Sequence, residues 1–220
     1  MIHYRTFRNS DPPGLVRVWN DALGGRGTIP LRSPTPFDYF ILSKGFFDPA
    51  GLQVALDGSS IVGWSLTGFG PNPAHTGLDL STGVLCVLGV LPSHRRQGIG
   101  RELLSHSEGY LRQRGAAQLF AGPMVPLNPF TFGIYGGSQS PGFLESSETL
   151  GPFLLHQGYE MEQTVLVMQR HLDRPFNVID GRFPALRKRF EVKSLSRTAA
   201  GRWYDECVDG PIEFLSLGIE

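Results

Sequence analysis

A chain of 220 residues, 40% hydrophobic and 18% charged, can bury one good core with room for an appendage. Its 20 basic and 20 acidic side chains cancel, which excludes bulk attraction to nucleic acid or to an anionic membrane and leaves any phosphate binding to a local site. No apolar run reaches the roughly 18 residues of a membrane span, and MIHYRTFRNSD at the start lacks an apolar signal segment. The two cysteines, Cys86 and Cys207, form no spacing motif, and Cys86 lies within an apolar run. The expectation is a cytoplasmic protein with reduced thiols, no membrane partner and no nucleic-acid partner.

Ile2 to Phe7 alternates weakly and predicts an edge strand. Asn9, Ser10 and Asp11 are candidate N-caps ahead of Pro12 and Pro13, and Leu15, Val16, Val18, Trp19 and Leu23 recur at helical spacing until Gly24 and Gly25. A second short helix is expected over Pro36 to Lys44, with Phe37, Phe40 and Ile41 facing inward. Leu52 to Leu56 and Ser60 to Phe69 read as strands joined across Asp57-Gly58, a hairpin signal. Gly70 to Ser81 is polar and proline-bearing, hence a loop. An apolar strand (Val84, Leu85, Val87, Leu88, Val90) then leads through a glycine-punctuated turn into a helix from Arg101 to near Gly115, followed by a short buried strand at Ala117 to Ala121. This alternation predicts an α/β (α+β) fold, a mixed central sheet flanked by helices.

Pro123 to Gly151 is too long for an ordinary connection. Phe130, Phe132, Ile134, Tyr135 and Phe143 make it too apolar for a solvated linker, so it reads as an ordered wall over a site. A helical turn at Pro152 to Gln157 and a strand at Met161 to Gln169 follow. Residues 1–170 are expected to form one domain. Residues 171–220 form a C-terminal extension that docks on it, is exchanged between protomers of a homodimer, or belongs to a second half-domain. In that extension Arg187, Lys188 and Arg189 read as a solvated basic face. Phe190 to Leu195 predicts a strand, and Trp203-Tyr204 and Ile212 to Leu217 a further helix and strand.

Val84 to Arg101, VLCVLGVLPSHRRQGIGR, is the stretch with chemistry in it. Strand, glycine loop and helix together aim unpaired N–H groups at an anion, and Gly98 and Gly100 let the backbone turn sharply and approach it. A dinucleotide site would need a third glycine three residues after Gly100 in a G-x-G-x-x-G register, and Leu103 stands there instead. A triphosphate P-loop fails as well, since no Gly-Lys-Ser/Thr follows.

Arg95-Arg96-Gln97-Gly98-Ile99-Gly100, an R-x-x-G-x-G turn after a strand, resembles the acyl-CoA pyrophosphate loop of the GNAT superfamily of acyl-CoA N-acyltransferases. The elements around it, down to Leu154-Leu155-His156-Gln157-Gly158-Tyr159 ahead of a last strand, come in the GNAT order over about residues 1 to 170. The resemblance implies a GNAT-like sheet and acetyl-CoA as co-substrate, with no metal. It implies main-chain groups of Leu88 and Val90 for the pantetheine arm, and for the pyrophosphate the amides of Gln97, Gly98, Ile99, Gly100 and Arg101, with Arg95, Arg96 or Arg101 as phosphate partners. Asn128 matches an asparagine often found after the fifth strand, which makes Tyr135 the candidate acid for the leaving thiolate. The tyrosine position ahead of Gly158-Tyr159 holds Leu154, and no carboxylate lies within Thr82 to Val90 where a family glutamate frequently sits. Asp79, His75, Glu148 and His156 are the substitutes for a base, acting through water. Cys86, in an apolar strand, is expected to be inert.

The implied reaction is direct attack of a primary amine, from a small molecule or a peptide, on the thioester in a ternary complex. The alternative is a non-catalytic acyl-CoA-binding or regulatory module of the same fold. Acceptor choice would rest on Gly24 to Phe47, Gly70 to Ser81 and Pro123 to Gly151, whose composition predicts a partly apolar acceptor pocket.

Overall fold

The computed structural model describes residues 1–25, 27–130, 140–167, 173, 180–195, 202–209 and 216–219. A five-stranded sheet runs in the order β1 (Ile2–Thr6), β2 (Leu52–Asp57), β3 (Ser60–Pro71), β4 (Leu78–Val90), β5 (Gln118–Ala121). The first three pairings are antiparallel; β5 joins β4 in parallel after a crossover through helix α3 (Ile99–Gln113). The mixed sheet flanked by helices is the α/β arrangement expected from the order of elements.

β4 is buried from Val84 to Gly89 because helices cover both faces of the sheet. On one face, α1 (Pro12–Val18) continues through a wide π-type turn at Trp19–Leu23, and α2 (Thr35–Phe37) does the same at Asp38–Leu42. Leu15, Val18, Trp19, Phe37 and Ile41 from these segments pack on Val54, Trp64, Val84, Cys86 and Val87. On the other face, Ile99, Leu103 and Leu104 of α3, with Leu150 and Leu154 of α4 (Leu150–His156), pack on Val62, Leu85 and Leu88. Alternation along β4, interrupted only where Cys86 and Val87 both face the first core, thus divides its side chains between two separate cores.

Several boundaries differ from the sequence reading. β4 starts at Leu78 rather than beyond Ser81, because Pro71 pairs with Leu78 and shortens the β3–β4 loop. α3 starts at Ile99, two residues earlier than its apolar pattern indicates. Asp11 precedes α1, but its carboxylate caps no helical amide. It receives two 2.7 Å bonds from the Arg5 guanidinium and one from the Arg8 N–H, tying β1 to the start of α1. Burial alone would raise its pKa; the Arg5 and Arg8 hydrogen bonds outweigh that and hold the carboxyl below its usual range.

The strand expected over Met161 to Gln169 is corrected. Residues 161–167 form no regular element, with Met161, Val165, Leu166 and Val167 exposed, and residues 168–169 lie outside the described residues. Apolar composition alone does not make a strand; a ladder partner is also needed, and among the described residues no neighbouring strand pairs with this segment. Beyond it lie α5 (Phe183–Arg189), β6 (Val192–Leu195), α6 (Trp203–Asp209) and β7 (Ser216–Ile219). β6 and β7 pair with each other as a separate antiparallel ribbon.

Candidate acyl-donor site

β5 accompanies β4 only from Thr82↔Gln118 to Leu85↔Ala121. Gly122 then donates to the Leu85 carbonyl (3.0 Å), and its φ of +98° turns the chain away ahead of Pro123. From there to Val90, β4 has one edge without a strand partner among the described residues. Two details set what that edge presents. Leu66 faces Val87 while Thr67 faces Leu85, so Cys86 is the extra residue of a bulge at the point of separation. Leu91 donates to the Val62 carbonyl on β3 (2.8 Å). Counting back, alternation turns the main-chain groups of Gly89 and Val87 to β3 and those of Val90 and Leu88 to the open edge.

The open edge runs directly into the glycine loop. Pro92–His94 makes a single 3₁₀ turn, and Arg96 (φ +63°) and Gly98 (φ +84°) are both left-handed before α3 begins. Gly98 is the N-cap, so no side-chain oxygen occupies the first-turn amides of a 15-residue helix. A Cβ at Gly98 would meet nothing within 4 Å; the glycine is required by its φ and not by crowding. Ile99 is 1% exposed and anchors the helix start in the core.

The three arginines divide. Arg95 is turned inward, donating from Nε to the Val90 carbonyl and from Nη2 to the Ala22 carbonyl (both 3.1 Å), which ties the loop to the end of α1. Arg96 and Arg101 are exposed beside the helix start, as is Gln97, which donates to the Ser93 carbonyl. Next to the loop, a cleft of about 290 Å³ opens between the end of α1 and the approach to α4, with Asp21, Thr28, Pro92, Arg95, Phe143 and Glu148 among its lining. Asp21 went unnoticed in the sequence because nothing in its immediate neighbours distinguishes it from any acidic residue late in a helix.

The remaining candidates are scattered. Asn128 is buried just after β5, and Tyr135 lies outside the described residues. Leu154 is a core residue. Cys86 is fully buried and burial pushes its thiol far above the ordinary value, so it is no nucleophile at neutral pH. Asp79 accepts from Ser81 Oγ and N–H, which lowers its pKa. His75 pairs with Asp205 at 2.6 Å. Glu148 is exposed at the cleft, and His156 is exposed at the end of α4. Among the described residues no cluster of three or more His, Cys, Asp or Glu could hold a metal, and no helix is long and apolar enough to cross a membrane.

Comparison with known proteins adds to this geometry. The model of the acetyltransferase (GNAT) family matches residues 18–135. Mycothiol acetyltransferase of Saccharopolyspora erythraea is 30% identical over 126 residues, covering 54% of this chain but only 37% of that protein. Among solved structures, a GCN5-related glucosamine N-acetyltransferase region of a fungal multi-domain β-N-acetylglucosaminidase superposes with a TM-score of 0.62 at 17% identity, over 90% of this chain and 22% of that one. A protein described as a transcriptional regulator from Bacillus halodurans C-125 gives 0.55 at 18% identity, over 77% of this chain and all of the other. An aminoglycoside acetyltransferase from an uncultured soil metagenomic sample gives 0.52 at 16% identity, over 78% and 96%.

Proposed function

The chain belongs to the acetyltransferase (GNAT) family, and from that premise we propose that it transfers an acetyl group from acetyl-CoA to a primary amine of a small molecule or peptide. One observation carries the reading: a β4 edge unpartnered among the described residues leads, without interruption, into an uncapped helix start through a left-handed glycine. That arrangement fits a long ligand with amides along its arm and phosphates at its end.

In this reading the main-chain groups of Leu88 and Val90 bind the pantetheine arm as a neighbouring strand would. The amides of Gln97 through Arg101, with the helix dipole, bind the pyrophosphate. Arg96 and Arg101 add charge from the exposed side, while Arg95 holds the loop in shape. Asn128 lies near the turn out of β5 and steadies the arm. A backbone N–H on the open edge polarises the thioester carbonyl as charge builds on its oxygen. The acceptor amine loses its proton through water to a carboxylate such as Glu148, attacks the carbonyl carbon, and the thiolate that leaves takes a proton from Tyr135.

Calorimetric titration with acetyl-CoA, followed by thiol release over a panel of amino sugars, diamines and peptides with Tyr135→Phe alongside, tests this. Binding and amine-dependent thiol release are expected. The second reading, a non-catalytic acyl-CoA-binding module, is favoured by the buried Leu154 and by a β4 that carries no carboxylate from Thr82 to Val90. Tight binding without thiol release would select it.

A further inference from the structure

The role of α6 is open in the sequence, and its contacts are specific. Three loops were expected to set acceptor choice, and α6 touches two of them directly. Lys44, 5% exposed, donates from Nζ to the Cys207 carbonyl (2.6 Å) and the Val208 carbonyl (2.5 Å), a cation at the C-terminal end of the helix. At the other end the His75 carbonyl accepts the Tyr204 N–H (3.0 Å) and His75 Nδ1 meets Asp205 Oδ1 at 2.6 Å. Between these ties, Phe46 stacks on Tyr204 with centroids 5.1 Å apart and planes 15° from parallel. The Phe46 ring centroid also lies 5.5 Å from that of Phe130, within the third loop. The helix therefore sits where all three acceptor loops meet.

Tyr204 is 4% exposed, yet its hydroxyl has no hydrogen-bond partner among the described residues. A buried hydroxyl left unpaired costs about 1–3 kcal/mol, so its place calls for a partner. Burial first, then the neighbouring Cys86 and Asp205, raise its pKa far above the ordinary phenol value, so the oxygen carries its proton at neutral pH and is a donor. Cys86 is the bulged residue at which β4 parts from β5, and Phe46 and Phe130 pack in the same core cluster with it. Through its stack on Phe46 the phenol joins the core cluster on the α1/α2 face of the sheet, the cluster that also holds the bulged residue of β4.

We infer that α6 forms a wall of the acceptor site and that the Tyr204 hydroxyl donates a hydrogen bond to the acceptor beside the acyl group. This rests on the acetyltransferase reading above. It makes the extension a part of the site, and Tyr204 a substrate-contacting residue supplied from far beyond the donor loop.

The wild-type chain and Tyr204→Phe are compared, since the substitution removes one oxygen and no ring contact. Acetyl-CoA affinity is expected to stay within about twofold, and the thermal midpoint to stay level or rise, because no internal hydrogen bond is lost. The KM for the accepted amine is expected to rise roughly tenfold. A fallen midpoint with an unchanged KM makes Tyr204 a packing residue and overturns the inference. A faster reaction in Tyr204→Phe, or in Lys44→Met with α6 released, makes the helix a plug and overturns it too. If acetyl-CoA binds but no amine reacts, the protein carrying 3-fluorotyrosine at position 204 is titrated with glucosamine and with spermidine in the presence of CoA. A moved fluorine resonance is expected with at least one of them; a fixed one overturns the inference. Absence of acetyl-CoA binding fails the acetyltransferase reading itself, and this inference with it.

Discussion

The two sides of the sheet opening are built by different kinds of contact. On the donor side, β4, the glycine loop and the start of α3 follow one another from Val84 to Arg101, and the conformation is set by local devices: a bulge at Cys86, left-handed Arg96 and Gly98, and a buried Ile99. On the side proposed for the acceptor, α6 is held by Lys44 and His75 across 163, 164 and 130 residues of chain. The donor side is therefore pre-formed by its own sequence, whereas the acceptor side exists only once distant segments have met. Such elements open with lower free energies than the strands they rest on.

Substitutions can break the comparison. The largest effect is expected on the frame that both sides share. Asp11→Ala leaves the Arg5 guanidinium, 15% exposed, without its carboxylate and should lower stability by about 3 kcal/mol in urea unfolding. Because the folded carboxyl titrates below its unfolded value, this contribution is present at neutral pH and is lost as pH falls from the ordinary carboxylate range through the lower folded pKa. The acid-unfolding profile of Asp11→Ala should accordingly be shallower in that window.

Next comes the donor loop. Gly98→Val forces a β-branched side chain into φ +84°, at a strain of about 2 kcal/mol, and should weaken acetyl-CoA binding about thirtyfold by calorimetry while α6 amides keep their hydrogen-exchange protection. Lys44→Met is its counterpart. The carbonyls of Cys207 and Val208 lose a charged donor, so amides of α6 should exchange roughly tenfold faster while acetyl-CoA affinity stays within about twofold. Equal sensitivity of both sides to either substitution would dissolve the distinction between them. Smallest is Arg101→Ala, an exposed cation at the helix start, expected to cost about threefold in acetyl-CoA affinity at low salt and less at high salt.

What could be read in the sequence follows the same division. The order of sheet elements, the hairpin at Asp57-Gly58 and the strand–loop–helix from Val84 onward are local patterns, and local patterns were legible. The direction of Arg95 was not: its guanidinium is adjacent in sequence to exposed Arg96, and only the positions of the Val90 and Ala22 carbonyls turn it inward. Asp11 read as a helix cap because the spacing fits one, but Arg5 on the neighbouring strand competes for the carboxylate and wins with two charge-assisted bonds. Met161 to Gln169 read as a strand from composition, although a strand is defined by a partner that composition does not contain. Tyr204 marked a helix but not its surroundings, since Phe46 and His75, which hold it, are both far from it in the chain.

The central claim is that the open β4 edge and the uncapped start of α3 form an acyl-CoA site, and one titration addresses it. Acetyl-CoA is added to the wild-type protein and to Gly98→Val in parallel, with heat of binding as the readout. Saturable one-to-one binding to the wild type and a loss of about thirtyfold in the variant are expected. No heat at millimolar acetyl-CoA, or equal affinity in the two proteins, would contradict it.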